Sequence, residues 1–361
     1  MHRSDSHDAP AGPGFDPAAL AEAVAFAEAN EVPWSRDLAE QLGRGEFEPP
    51  PWNEVLGPVF PRGGPAGVVL RDGRLAAEWG DPRRADLTFS VAKSYLAVLA
   101  GVALRDGLIG SVDEPVRETA LDDGFETPQN RAITWRHLLH QTSEWQGTLW
   151  DKPDLVDRNR EVGDGADNTR KGQPRELRPP GSYWEYNDVR VNRLALSLLQ
   201  VFRRPLDAVL RDEIMAPLGG SDGWAWHAYR NAWFEIDGVA MPSVPGGTHW
   251  GGGLRIAAHD QALLGELVRR RGLWHGRRVL PEAYLDEMLA PCPIAPDYGF
   301  LWWLNTGGAL YPSAPVTSVY AVGAGGNLIW VDRDLGLTVV ARWLDDAAAD
   351  GFMARILAAL D

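Results

Sequence analysis

Sequence patterns typical of β-strands lie near both ends of this chain, and patterns typical of helices fill most of the part between them. An Asp-Gly pair at 72–73 separates two apolar runs within 67–79, which is typical of a β-hairpin. Three further strands are predicted near the other end, at 318–322, 328–331 and 337–343. Strands from distant parts of a chain must pair to complete one sheet. The pattern therefore predicts an α+β sheet domain interrupted by an inserted helical region.

Between the two groups of strands, apolar residues recur at helical spacing. The helix predicted over 90–105 is apolar nearly all round, which is typical of a buried helix. The other predicted helices span 17–30, 133–140 with Thr134 as N-cap, 192–201, 205–215, 254–271, 281–289 and 350–360. We expect a sheet domain of residues 1–110 and 255–361, and a helical domain of residues 111–254 with a long polar loop or lid at 152–180.

Composition excludes several classes of function. The formal net charge of -15 over 361 residues argues against binding to nucleic acid or to anionic membranes. A single cysteine, Cys292, rules out an internal disulfide. Residues 1–13 lack the basic start and apolar run of a signal peptide, and no apolar run is long enough to cross a membrane. The expected location is therefore the cytoplasm, and the sequence leaves the oligomeric state undefined.

Lysine is rare in this chain. Lys93, Lys152 and Lys171 are the only lysines among 35 basic residues. Lys93 follows Ser90 by three positions at the start of the long predicted helix, so both side chains lie on one face. A desolvated lysine can lose its proton, whereas arginine cannot. Ser90 and Lys93 are therefore a candidate nucleophile and base. A surface lysine near a helix start is the alternative from these residues alone.

Further motifs follow in order at 133–143 (Ile-Thr-Trp-Arg-His-Leu-Leu-His-Gln-Thr-Ser), 180–188 (Pro-Gly-Ser-Tyr-Trp-Glu-Tyr-Asn-Asp), 251–260 (Gly-Gly-Gly-Leu-Arg-Ile-Ala-Ala-His-Asp) and 321–327 (Ala-Val-Gly-Ala-Gly-Gly-Asn). With these motifs the chain resembles the serine β-lactamase and penicillin-binding-protein superfamily, and within it the class C β-lactamase-like esterases and 6-aminohexanoate-dimer hydrolases. The resemblance implies a β-lactamase/transpeptidase-like fold, in which an antiparallel sheet is flanked by helices and a mainly helical region is inserted.

The resemblance also implies roles for individual residues. Tyr186 matches the tyrosine that shares the proton relay with Lys93, although a core aromatic would also suit that segment. The third motif would form an edge strand facing Ser90, in which Gly323 permits close approach and Ala324 supplies an N–H to the oxyanion hole. The second oxyanion N–H is that of Ser90, since the first turn of a helix has unpaired donors. A glycine-rich hairpin turn is the alternative for this motif.

Three positions depart from the family pattern. Ala321 stands where lactam-binding relatives carry a lysine or histidine, which lowers the expectation of β-lactamase activity. Asp188 replaces an asparagine: it could hold Lys93 protonated, position the ammonium or a substrate amine, or act as a helix N-cap. Glu144 replaces a glycine.

The expected function is that of a serine hydrolase that cleaves a small ester or an unactivated amide through an acyl-enzyme on Ser90. Asp188, Gly323 and an aromatic set are expected to shape the substrate pocket: Trp145, Trp184, His249 and Trp250. Core packing is the other interpretation of the 16 tryptophans. No cofactor is implied, and no metal-ligand spacing is present. The alternatives are a β-lactamase or D-amino-acid peptidase, and a non-catalytic binding protein on the same fold.

Overall fold

The computed structural model describes residues 14–45, 47–163 and 165–361. The segment 1–13, predicted not to be a signal peptide, lies outside the described residues. Within the described residues, the α-helices are α1 Pro17–Ala29, α2 Leu38–Gly43, α3 Val91–Arg105, α4 Trp135–Leu139, α5 Asp188–Phe202, α6 Leu206–Leu210, α7 Ala216–Leu218, α8 Ala258–Arg269, α9 Glu282–Met288 and α10 Ala349–Ala358. No described helix has the length and apolar character needed to cross a membrane.

The strands of the described residues are mostly short. They are β1 Ala66–Arg71, β2 Arg74–Trp79, β3 Asp86–Leu87, β4 Thr148–Leu149, β5 Lys152–Pro153, β6 Ala225–His227, β7 Trp233–Ile236, β8 Val239–Pro242, β9 Gly253–Ile256, β10 Leu273–Trp274, β11 Arg277–Arg278, β12 Trp303–Leu304, β13 Val319–Gly323, β14 Asn327–Asp332 and β15 Leu337–Arg342. The hairpin at 72–73 and the three strands near the end of the chain are confirmed.

The largest sheet joins strands from both ends of the sequence. Its order is β12-β13-β14-β15-β1-β2, and all its neighbours are antiparallel. The hairpin that begins the sheet turns at Asp72 and Gly73, both with positive φ, as the preferred two-residue turn requires. The described structure confirms the predicted α+β class, in which an antiparallel sheet is flanked by helices and a mainly helical region is inserted.

Both faces of this sheet are covered, which explains why its central strands are apolar on both sides. Val68, Ile329 and Val340 belong to the core that contains α3 and α8. Their neighbours along the strands, such as Val69 and Trp330, belong to a second core beneath α1 and α10. Successive side chains of a strand point to opposite faces, so each strand contributes to both cores.

Helix α3 lies between the sheet and the inserted helices. It packs against β13 and β14 on one side and against α5 on another. Thirteen of its residues are buried, including polar Lys93 and Ser94. Ser90 is the N-cap residue of this helix, so the fold places the start of this buried helix at the boundary between sheet and helical region.

Two predicted boundaries are wrong. The helix predicted over 254–271 begins only at Ala258, because Gly253–Ile256 form β9, which pairs with both β3 and β6. The helix predicted to begin at Asn192 already begins at Asp188. Its N-cap is Asn187, whose side chain accepts the Arg190 N–H, so the interpretation of Asp188 as an N-cap is also wrong.

Arg342 joins the two main sheets. Its buried guanidinium donates to Asn327 Oδ1 at 2.6 Å and to the carbonyls of Ile256 and Leu87 at 2.9 and 2.8 Å. Burial lowers the pKa of Arg342 to about 10. The hydrogen bonds fix β3, and with it the residues leading into Ser90, against the large sheet.

We predict that Arg342→Met lowers the free energy of unfolding by about 3 kcal/mol or more, because three buried acceptors lose their donor. The exposed Arg355, which donates to a carbonyl of its own helix, provides the control: Arg355→Met should cost less than about 1 kcal/mol. Urea unfolding of both variants measures the difference. Equal losses would show that the Arg342 hydrogen bonds do not hold the sheets together.

Candidate active site

Ser90 follows a residue with a strained backbone. Phe89 has φ of +51°, a conformation that bulky side chains rarely adopt. Its buried ring contacts Trp34, Phe47 and Trp343, with ring centroids 5.5, 6.2 and 6.4 Å away. Ser90 itself is partly exposed. Aromatic packing thus holds the turn that presents the Ser90 hydroxyl at the start of α3.

Lys93 lies directly beneath Ser90. Its Nζ is 2.8 Å from Ser90 Oγ, 2.5 Å from Asp188 Oδ1 and 3.2 Å from the Gly246 carbonyl. The side chain of Lys93 is only 1% exposed. A Cβ on Gly247 would lie 2.9 Å from Asp188 Oδ1, so this glycine leaves room for the ion pair. The three acceptors match the three hydrogens of an ammonium group.

Asp188 is the first residue of α5, and its carboxylate is shared. Oδ2 accepts from Arg160 Nη1 at 2.5 Å and lies 3.6 Å from His249 Nε2. The backbone N–H of Asp188 donates to Asp157 Oδ2 at 2.8 Å. Asp188 is therefore surrounded by donors from α3 and from the segment 152–180.

The ion pair controls the charge of both partners. Burial lowers the pKa of Lys93, but the Asp188 carboxylate raises it more, and the pKa lies above the ordinary 10.5. Burial raises the pKa of Asp188, but Lys93, His249 and Arg160 bring it well below 3.8. Lys93 is therefore held as an ammonium and Asp188 as a carboxylate. Of the roles left open for Asp188, the geometry matches the one in which it keeps Lys93 protonated.

Tyr186 lies beside the same two cations. Its ring centroid is 4.9 Å from Lys93 Nζ and 5.1 Å from Arg160 Cζ. The ring stacks on Trp303 at 5.9 Å and contacts Trp184 at 6.3 Å. Tyr186 thus belongs both to the charged cluster and to an aromatic cluster, and the structure brings it together with Ser90 and Lys93.

Strand β13 approaches the start of α3 where the third motif predicts it. A Cβ on Gly323 would lie 2.1 Å from the Thr88 carbonyl and 3.0 Å from the Ser90 nitrogen, so only glycine permits this approach. Strand β12 pairs only with Val319 and Tyr320, which leaves the end of β13 as an edge. Among the hydrogen bonds of the described residues, neither the Ser90 nor the Ala324 N–H is a donor.

The predicted pocket residues differ in their surroundings. Trp184 is partly exposed and contacts Tyr298 and Trp303. Trp250 is fully buried, packs edge-on against His249 at 4.3 Å and donates to the Trp52 carbonyl. Burial lowers the pKa of His249 to about 4, so the ring is neutral.

Trp145 is also buried. It is 3% exposed, and its indole N–H donates to the Gly124 carbonyl at 2.8 Å. Trp145 and Trp250 thus pack in the core of the described structure, and a substrate contact for either remains a prediction without an exposed ring face to support it.

The contacts of Glu144 explain how a glutamate can occupy the position of the family glycine. Its φ is +48°, in the left-handed region that favours glycine. The carboxylate is fully buried and accepts from Arg175 at 2.6 Å and from Arg190 at 2.8 Å. Two arginines therefore hold a glutamate in a backbone position suited to glycine.

The sequence did not single out Arg160, Asp157, Glu48 or Lys171 as residues of the site. Lys171 donates to Glu48 Oε1 at 2.6 Å and lies 3.3 Å from Asp157 Oδ1. The third lysine, Lys152, donates to the Trp52 carbonyl and lies over the Trp250 ring. Lys93 contacts Asp188, Lys171 contacts Asp157, and Lys152 lies over Trp250, which packs on His249. The rarity of lysine was the one available signal.

Three residues of the described chain could ligate a metal ion. The ligand atoms of Glu48, Asp157 and His249 lie within 4.8 Å of one another. Burial, together with the Asp157 charge, raises the pKa of Glu48 to about 8. The Lys171 ammonium already contacts both carboxyl groups, so a cation is present where a metal would bind. The expectation of no metal cofactor stays a prediction.

Comparison with solved structures shows the same fold at low identity. A penicillin-binding protein homologue from Caulobacter crescentus is 16% identical, with a TM-score of 0.59 over 97% of this chain and 99% of that one. A D-stereospecific amidohydrolase from Streptomyces sp. is 18% identical, with a TM-score of 0.56 over 95% and 98%. EstCE1, a hydrolase with promiscuous acyltransferase activity, is 18% identical, with a TM-score of 0.56 over 94% and 98%.

No curated protein matches the sequence. The family model described as Beta-lactamase matches residues 62–343, which include α3, α5 and every strand of the large sheet. The predicted superfamily and β-lactamase/transpeptidase-like fold are confirmed. This chain therefore belongs to the Beta-lactamase family.

Proposed function

We propose that this protein is a serine hydrolase that forms an acyl-enzyme on Ser90 and cleaves a small ester or an unactivated amide. The observation that carries the proposal is the contact of 2.8 Å between Ser90 Oγ and a buried lysine amine, at a helix start whose backbone N–H is unpaired within the described structure. A nucleophile, a proton acceptor and an oxyanion donor are thus supplied by one turn of α3.

The reaction begins from the amine form of Lys93. In that form, Nζ donates its two hydrogens to Asp188 and Gly246 and accepts the Ser90 proton on its lone pair. Ser90 Oγ then bonds to the substrate carbonyl carbon, and the backbone N–H groups of Ser90 and Ala324 stabilise the resulting oxyanion. The bond between the carbonyl carbon and the leaving group then breaks as Tyr186 protonates the leaving group, and the proton that Lys93 took from Ser90 returns to Tyr186. Water later attacks the acyl carbon, and Ser90 Oγ leaves with a proton from the same relay.

Turnover should rise with pH across the neutral range. The pKa of Lys93 lies above its ordinary value because of Asp188, so the amine form is a minor fraction at pH 7 and grows as pH increases. Only a small fraction of the protein therefore carries the amine form of Lys93 at neutral pH. Once Ser90 has transferred its proton, the three acceptors around Lys93 strongly stabilise the resulting ammonium.

An ester or amide substrate is favoured over a β-lactam or a cell-wall peptide. Ala321 is fully buried on the face of β13 that packs towards α3, and it offers no cation to a substrate carboxylate. The structural neighbours include both an amidohydrolase and a penicillin-binding protein homologue, so the choice of substrate class rests on Ala321. Labelling of Ser90 by an acylating or phosphonylating probe distinguishes this proposal from a non-catalytic binding protein on the same fold.

We predict that a fluorophosphonate probe labels Ser90 in the wild-type protein and that Ser90→Ala abolishes labelling. The variant should lower turnover of a nitrophenyl ester by at least about a thousandfold, because the nucleophile is lost. Ser94→Ala is the matched control: it lies one turn along the same helix and donates to the Leu301 carbonyl. Labelling of Ser90→Ala, or no labelling of the wild type, would contradict the proposed function.

We also predict that Gly323→Ala lowers kcat/KM by about a hundredfold, since a Cβ would push β13 away from the Ser90 N–H and widen the oxyanion hole. Gly43→Ala is the control, because a Cβ on that glycine meets nothing within 4 Å. Ester hydrolysis by both variants, with circular dichroism to verify folding, measures the effect. Unchanged activity in Gly323→Ala would remove β13 from the site.

A further inference from the structure

Arg160 reaches the site from the segment 152–180. Its Nη1 donates to Asp188 Oδ2 at 2.5 Å and to Asp157 Oδ1 at 3.2 Å. Its side chain is 16% exposed, and its Cζ lies over the Tyr186 ring. Arg160 therefore binds the carboxylate oxygen that Lys93 does not use.

The position of Arg160 does not depend on Lys93. Asp157 is fully buried and is itself fixed by the Asp188 backbone N–H. The neighbouring Asn159 donates its N–H to Glu185 Oε1 at 2.7 Å, and Arg158 forms a buried ion pair with Asp154. The segment predicted as a loop or lid is thus anchored by buried charged side chains directly before Arg160.

Arg160 changes the electrostatics of Lys93 through the shared carboxylate. Within the described structure, Lys93 faces Ser90 on α3, Asp188 on α5, Tyr186 before α5, Arg160 and the Gly246 carbonyl. His249 and Asp157 lie on the other side of Asp188. Asp188 favours the Lys93 ammonium, and Arg160 opposes it as a nearby positive charge. No charged side chain enters from β13, where Ala321 and Gly323 lie.

We propose that Arg160 is a positioning residue for the Ser90 reaction: by binding one oxygen of Asp188, it fixes that carboxylate and limits how firmly Asp188 holds the protonated Lys93. Asp188 and Arg160 act as a unit, in which the anion orients Lys93 and the arginine keeps the amine form accessible. The kinetic part of this inference rests on the proposed function; the effect on Lys93 does not.

The Asp188→Asn background isolates the direct effect of the Arg160 charge on Lys93, whereas the wild-type background also includes the effect through the Asp188 carboxylate. Without the carboxylate, burial and Arg160 both favour the amine, so Lys93 should titrate at lower pH than in the wild type. Adding Arg160→Gln should move the midpoint of the kcat/KM profile to higher pH and leave the plateau within about twofold. Adding Arg160→Lys instead retains the charge and should leave the midpoint near that of Asp188→Asn. A lowered plateau with an unmoved midpoint would overturn the proposal.

Lys93 can also be observed directly. The chain has three lysines, so protein labelled with ¹³C at lysine Cε gives three signals, and Lys152→Arg and Lys171→Arg assign them by loss. The Lys93 titration should lie at higher pH in Asp188→Asn/Arg160→Gln than in Asp188→Asn. Equal midpoints would overturn the proposal even if the enzyme is active. The two Lys93 midpoints could differ in the predicted order in a protein that hydrolyses no ester and is not labelled by a fluorophosphonate. That result would establish the effect of Arg160 on Lys93 and refute the proposed function.

The wild-type background supplies an independent comparison should Asp188→Asn fail to fold. At pH 8, Arg160→Gln should lower kcat/KM by about tenfold, with KM nearly unchanged because Arg160 acts through Asp188. Arg160→Lys should lose less than about threefold. Equal losses in the two variants would show that shape at position 160, and not its charge, is what the site requires.

Discussion

The buried ion pair between Lys93 and Asp188 is the interaction on which the site depends. Removing two charges from water is unfavourable unless further hydrogen bonds satisfy both groups. Here Ser90 and Gly246 complete the coordination of the ammonium, while Arg160 binds the second oxygen of the carboxylate. The Ser90 hydroxyl is thus one of the groups that stabilise a buried charge, and its position next to Lys93 Nζ follows from that requirement.

The fold makes this pair possible by bringing together elements that are distant in sequence. Helix α3 supplies the serine and the lysine, α5 supplies the aspartate, and the segment between β5 and α5 supplies the arginine. The end of β13 closes against the start of α3 because it ends in glycine. The ion pair could not be assembled by any one of these elements, since each contributes only one part of the charge balance.

Local signals in the sequence were sufficient where a structure is decided by neighbouring residues. The Asp-Gly hairpin, the Thr134 cap and the buried character of α3 are of this kind. The sequence predicts helix at β9, because the strand forms only by pairing with residues such as Leu87 and Trp226, which are distant in the chain. Arg160 lies in a segment without periodicity, and arginine is common in this chain, so no pattern singled it out. Lys171 could have been found, because lysine is rare here.

The ion pairs around Asp188 also affect which substrates the site can accommodate. Each of three cations near Asp188 already has a carboxylate partner: Lys93 pairs with Asp188, Arg160 with Asp157 and Asp188, and Lys171 with Asp157. A substrate carboxylate would have to compete with these partners, and Ala321 offers no replacement. An uncharged acyl group, by contrast, could pack on the partly exposed rings of Trp184 and Trp303 without disturbing an ion pair. The arrangement that holds Lys93 in place is therefore consistent with the proposal of a neutral ester or amide as substrate.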